Sequence, residues 1–102
     1  MKFFTIHHSG QAVKVRCEIG TYIADDTLAI SVVREDGKEL GDLTRNIGSR
    51  LASRTAAFVN PVTKSEKWTK ELADQIGMDT GVRIMNGGVV YPLYKFDVLK
   101  LF

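Results

Sequence analysis

The stretch "GGVVYPLYKFDVLKLF", Gly87 to Phe102, decides how the chain is read. Its β-branched and aromatic residues suit a strand, with Val90, Tyr94, Phe96 and Val98 facing a core and Lys95 and Asp97 facing water. Pro92 stands in its middle. Proline has no N–H to give to a ladder, so a strand tolerates it at a sheet edge or at a bulge. The reading is therefore a terminal strand that lies at an edge or bulges at Pro92, where proline also blunts edge-to-edge association. Just upstream, Asn86-Gly87 is a strong dipeptide for a two-residue hairpin turn and pairs this strand with "TGVRIM", Thr80 to Met85.

Moving outward, "TKSE" (Thr63–Glu66) has the form of a capping box and predicts a helix that starts at Thr63. Trp68, Leu72 and Ile76 recur every four residues and form one apolar stripe, with Trp68 as the anchor on a sheet face. Glu66 with Lys70, and Lys67 with Glu71, share the same spacing on the wet side. Gly77 sits where a helix-terminating glycine is expected.

The first half reads as a meander of four strands. They are "KFFTI", then "AVKVRCEIG", where Val13, Val15, Cys17 and Ile19 alternate with Lys14, Arg16 and Glu18, then "LAISVV", then "ELGDLTRNI". "HHSGQ" and "EDGK" are the turns between strands, Gly37 supplying the positive φ of the second. "GSRLASRTAAFVNP" predicts a short helical turn and then an extended piece ending at Asn60-Pro61. The expected fold is α+β, an antiparallel sheet of about five or six strands with one main α-helix packed on one face. No repeat or linker interrupts the chain, so residues 1–102 are expected to form a single domain.

Composition is that of an ordinary globular protein, 44% apolar and 25% charged. No apolar run approaches the roughly 20 residues that cross a bilayer, and the opening residues lack a secretion pattern. The single cysteine, Cys17, suits a reducing compartment. The expected location is cytoplasmic, with no membrane partner. The net charge of +2 is unevenly spread: Leu43 to Ser65 contains no acid but carries Arg45, Arg50, Arg54 and Lys64, while Asp25, Asp26, Glu35, Asp36, Glu39 and Asp42 precede it.

Little in the sequence points to catalysis. His7 and His8 are adjacent and would point to opposite sides of a strand, and no ligand spacing such as C-x-x-C is present, so no metal and no cofactor are expected. Cys17 belongs to the alternating apolar set, and no nucleophile–base–orienter constellation shows, so the chain is read as a non-enzyme. Two binding elements remain. Arg45, Arg50 and Arg54 could meet phosphates or an acidic protein surface, Arg50 and Arg54 sharing a face if "SRLASR" is helical. Only Phe58 among stacking residues lies nearby, so nucleic acid ranks below protein as a partner. Tyr91 and Tyr94 flank Pro92 and point to opposite faces; one would project as an interface anchor, unless both pack within the sheet.

Together, "TGVRIMNGGVV" followed by "YPLYKFD", the stretch "TYIADDTLAISVVREDGKELGDLTRNI", and "AAFVNPV" before a Trp-bearing helix resemble an uncharacterised bacterial family, the domain-of-unknown-function family numbered 4313. The similarity spans nearly the whole chain, and "YPLY" with its upstream glycines is its most specific part. "IGSRLASRT" departs from the pattern in being more basic. The resemblance implies a small accessory protein of phages, plasmids or other mobile elements, with no catalytic residues to carry over. It implies a partner that is a host or element-encoded protein complex, a defence system such as CRISPR–Cas being the most concrete form. The alternative is a nucleic-acid-binding accessory protein using the Arg45–Arg54 segment.

Overall fold

The computed structural model describes residues 2–61 and 67–101. Its first half is the expected meander. β1 (Phe4–His8) and β2 (Gln11–Thr21) form a hairpin through Ser9 and Gly10, both at positive φ as a two-residue turn requires. β3 (Leu28–Arg34) and β4 (Glu39–Asp42) follow, and the four strands lie in chain order, all antiparallel. Alternation delivers Ile6, Val15, Ile30 and Val32 to the buried face.

"ELGDLTRNI" is not one strand. It breaks at Leu43, whose N–H donates to Ile30 of the first sheet while its carbonyl accepts from Asn60, beside the second. A single wholly buried residue thus bonds toward both layers. Beyond it, β5 (Thr44–Arg45), β6 (Ala56–Val59), β7 (Gly77–Asn86) and β8 (Val89–Phe96) make a second antiparallel sheet in the order β5-β6-β8-β7. The α+β class stands, with the strands divided into two sheets of four rather than gathered in one of five or six.

The helix α1 (Trp68–Ile76) buries Trp68, Leu72 and Ile76 as the stripe requires, with Thr69 and Ala73 beside them. The expected start at Thr63, its capping box and the Glu66–Lys70 pair lie outside the described residues. Glu71, expected beside Lys67, turns to β1. Its carboxylate accepts the His7 main-chain N–H at 2.6 Å, and the His7 Nδ1 lies 3.1 Å from its second oxygen. One turn on, Gln75 Nε2 donates to the Thr5 carbonyl at 2.8 Å. Two helix side chains therefore satisfy main-chain groups on the outer edge of β1, groups that would otherwise be open to another strand.

Gly77 follows the helix, but not as a left-handed cap. Its φ of −146° is extended, and the chain runs straight into β7. A Cβ there would sit 2.7 Å from the Phe96 ring and 2.9 Å from the Lys95 carbonyl. The glycine is required because β7 and β8 pass too closely for any side chain.

β8 is a central strand, between β6 and β7, and not the edge strand that Pro92 suggested. The hairpin turn is Gly87-Gly88, both at positive φ, one residue later than Asn86-Gly87. Asn86 opposite Val89 is then the closing hydrogen-bonded pair, and pairs alternate from there, so Arg83 opposite Pro92 is a pair that exchanges no hydrogen bonds. The proline nitrogen points toward β6, whose pairing with β8 runs only from Ala56–Lys95 to Phe58–Leu93. The missing donor falls one residue past the end of that ladder. The irregularity is in β7, where the register shifts between Asp79 and Arg83. Among the described residues no helix is long and apolar enough to cross a membrane.

Candidate functional site

Because β6 stops pairing at Leu93, Arg83–Asn86 and Val89–Pro92 pair only with each other and form a two-stranded ribbon. A ribbon of this size is marginal alone and needs support from one face. That support comes from the residues 46–55, a loop whose Ile47 and Ala52 pack with Phe58, Tyr91 and Leu93 in a second apolar cluster, rimmed by Val82, Ile84 and Val89. The opposite face carries the cross-strand pair Met85 and Val90, 70% and 46% exposed. From Ile84 to Tyr91 the chain contains no charged side chain.

The two tyrosines do point to opposite faces, but neither projects. Tyr91 is 5% exposed, under the 46–55 loop, and Tyr94 is 1% exposed, in the main core beside Phe96. Each tyrosine is covered on its own face of β8, Tyr94 by α1 and the first sheet and Tyr91 by the 46–55 loop, while Val90 nearer the turn stays exposed on the Tyr94 side. The Tyr94 hydroxyl donates to Asp74 Oδ1 at 2.5 Å, and Lys70 Nζ holds Oδ2 at 2.6 Å, tying β8 to α1. Burial, then the bond to Asp74, raises the Tyr94 phenol well above its ordinary value of 10.0. The Asp74 carboxyl is lowered, first by Lys70 and then by Tyr94.

The β7 irregularity is closed by its own side chains. Asp79 takes a two-pronged bond from Arg83, at 2.6 and 2.9 Å, and accepts the Gly81 N–H, while the Thr80 hydroxyl donates to the Leu93 carbonyl. The Arg83 bonds, then the Gly81 N–H, bring the Asp79 carboxyl down to about 2. Its ionised form therefore favours the folded state above the ordinary value of 3.8, and that contribution disappears as pH falls toward 2. Asp74 adds to the same trend. Thermal unfolding of wild type and Asp79→Asn is expected to converge as the pH drops from 4 to 2. A gap that stays constant across that window would contradict the assignment.

The arginine segment is not helical; it turns at Arg50-Leu51, and Arg50 and Arg54 share no helical face. Arg54 meets Asp26 at 3.1 Å, and Asn46 donates to Asp25, which also accepts from the Thr27 hydroxyl and N–H. Arg45 lines a small cleft with Asp42. The charge segregation seen along the sequence is undone in space: Asp25, Asp26 and Asp42 lie among Arg45, Asn46 and Arg54. Lys64 lies outside the described residues. The structure does bring the arginine segment and Tyr91 together, since the loop that carries Arg50 is the cover over that tyrosine's face.

Cys17 is half-buried against the core, and burial pushes its thiol up to about 11, which disfavours the thiolate form at neutral pH. Among the described residues no group of three His, Cys, Asp or Glu side chains is gathered to hold a metal ion. Val90, expected to face the core, is exposed beside Met85, because the core under that face of β8 ends at Tyr94; a signal for the exposed pair exists in eight residues around a hairpin turn without one charge. In comparisons with protein-family models, curated proteins and solved structures, nothing matches this chain.

Proposed function

We propose that the chain is a non-catalytic binding protein that engages a partner protein through the β7–β8 ribbon. The observation that carries this reading is the exposed Met85–Val90 pair on the uncharged tip of the ribbon, Ile84 to Tyr91, held from beneath by Tyr91, Leu93 and Phe58. Phosphate binding depends on cations, and the ribbon tip has none. Depletion of charge with enrichment of methionine and aromatic residues is the composition of a protein-interface core. Methionine also adapts its shape to a partner's groove at small cost. The resemblance to a mobile-element family supports a host defence complex, of CRISPR effector type, as that partner in the cytoplasm.

The test is co-purification from a bacterial host with quantitative mass spectrometry, comparing wild type with Met85→Glu/Val90→Glu and with Arg45→Ala/Arg50→Ala. The ribbon variant is expected to lose its partner by roughly 2 kcal/mol, about thirtyfold, with unchanged circular dichroism. The arginine variant is expected to keep it. The reverse outcome would favour the second reading, nucleic-acid binding through the exposed Arg45 and Arg50, for which log affinity would fall with log salt at a slope of about −2.

A further inference from the structure

An asparagine becomes an acid without an enzyme when the main-chain nitrogen of the next residue reaches its side-chain carbonyl carbon. The chain has three asparagines, Asn46, Asn60 and Asn86, followed by Ile47, Pro61 and Gly87. Pro61 has no N–H, so Asn60 is closed to this route. Ile47 is branched at Cβ and crowds its own nitrogen, and the Asn46 amide is held at both ends, donating to Asp25 and accepting from the Gly48 N–H. Asn86 differs on every count. It is exposed at the mouth of the hairpin, and among the described residues its side-chain amide has no hydrogen-bond partner. The two glycines that follow place no side chain near the reacting atoms. No carboxylate lies between Ile84 and Tyr91 to repel the anionic nitrogen that attacks.

We propose that Asn86 is a self-modification site at the tip of the ribbon. The Gly87 nitrogen, losing its proton, bonds to Asn86 Cγ. The Cγ–Nδ2 bond breaks, and Nδ2 leaves as ammonia with that proton, which closes a five-membered imide. Water then opens either imide carbonyl, giving aspartate or its isomer with the chain routed through the side chain. No electron changes hands, and water is the only co-reactant. Either product puts a carboxylate on a ribbon that otherwise carries no charge at its tip. The isomer also lengthens the main chain by one carbon between Cα and the next nitrogen, which breaks the Asn86–Val89 pair that closes the hairpin. That this silences binding rests on the proposed function; the chemistry does not.

The experiment is incubation of the folded protein in mildly alkaline buffer, followed by peptide mass spectrometry for the amide-to-acid mass gain. Isoaspartate is counted with an isoaspartyl O-methyltransferase and a labelled methyl donor. The gain is expected at Asn86, in both isomeric forms, with Asn46 and Asn60 unchanged, and Asn86→Gln is expected to abolish it. If Asn86 stays an amide in the folded protein while the urea-unfolded chain converts, the hairpin protects the residue and the proposal is overturned. A gain at Asn46 before Asn86 overturns it equally. Binding of the aged protein to a partner is measured separately, so failure of the ribbon reading leaves the chemical result intact.

Discussion

Replacing Trp68 with alanine is expected to lower the unfolding free energy by about 3–5 kcal/mol, the range for removing a large buried aromatic. The indole is 7% exposed and belongs to the core that both sheets share with α1. It also lies against Gly41, where an added Cβ would sit 3.4 Å from the ring, so the anchor reaches from the helix to the end of β4. A nine-residue helix has no stability of its own in water and depends on this packing. Domains of this size hold only about 5–15 kcal/mol in all, so the loss removes a large share. Urea denaturation followed by circular dichroism measures it, with Trp68→Phe expected to fall between the two. Since Trp68 is the only tryptophan, native fluorescence gives an independent check, and its emission is expected to be that of a dry indole. A loss under about 1 kcal/mol would show that the surrounding side chains fill the space.

Tyr94→Ala is expected to cost about as much, 3–5 kcal/mol, because the ring is fully buried and stacks with Phe96 at a centroid distance of 6.1 Å. Tyr94→Phe separates packing from bonding. It keeps the ring and removes the hydrogen bond to Asp74, a bond to a charged group, for a loss of about 1.5–3 kcal/mol at neutral pH. The folded-state Asp74 carboxyl is lowered, so the stabilisation it brings is present above its ordinary value of 3.8 and is lost as the pH falls below it. The difference between wild type and Tyr94→Phe should shrink in acid. A difference independent of pH would mean that the phenol's contacts, not the Asp74 bond, account for the loss. Tyr91→Ala is expected to act first on stability as well, since the 46–55 loop covers it.

Much of this architecture could be read locally. The alternation in β2 and the Trp68–Leu72–Ile76 stripe each report one face against one core, so period and burial agree. The boundary between sheets could not be read, because it rests on one residue, Leu43, whose apolar side chain looks like any other position of a strand. Pro92 misled for a related reason. Proline states that a donor is absent, not which side the donor would have faced, and that side is set by the hairpin parity counted from Gly87-Gly88. The tyrosines alternated as expected, but alternation cannot show that a loop from another part of the chain covers the second face. Gly77 had the right place for a cap and a different cause, a strand pressed against it from residue 96. The arginines were legible as a cluster; the acid that meets Arg54, Asp26, comes from a turn 28 residues earlier.

The bonds from Glu71 and Gln75 to the outer edge of β1 set an order of events when the chain is made. Glu71 follows His7 by 64 residues. At roughly 5–20 residues per second of synthesis, β1 and β2 are complete for several seconds before the helix that finishes their edge has left the ribosome. For that interval the nascent sheet exposes main-chain groups that any extended segment could occupy, including the β1 of a neighbouring chain on the same message. Slow synthesis, or a stop before residue 76, prolongs the interval, and the helix then acts as the last stitch that turns a sticky nascent sheet into a finished one.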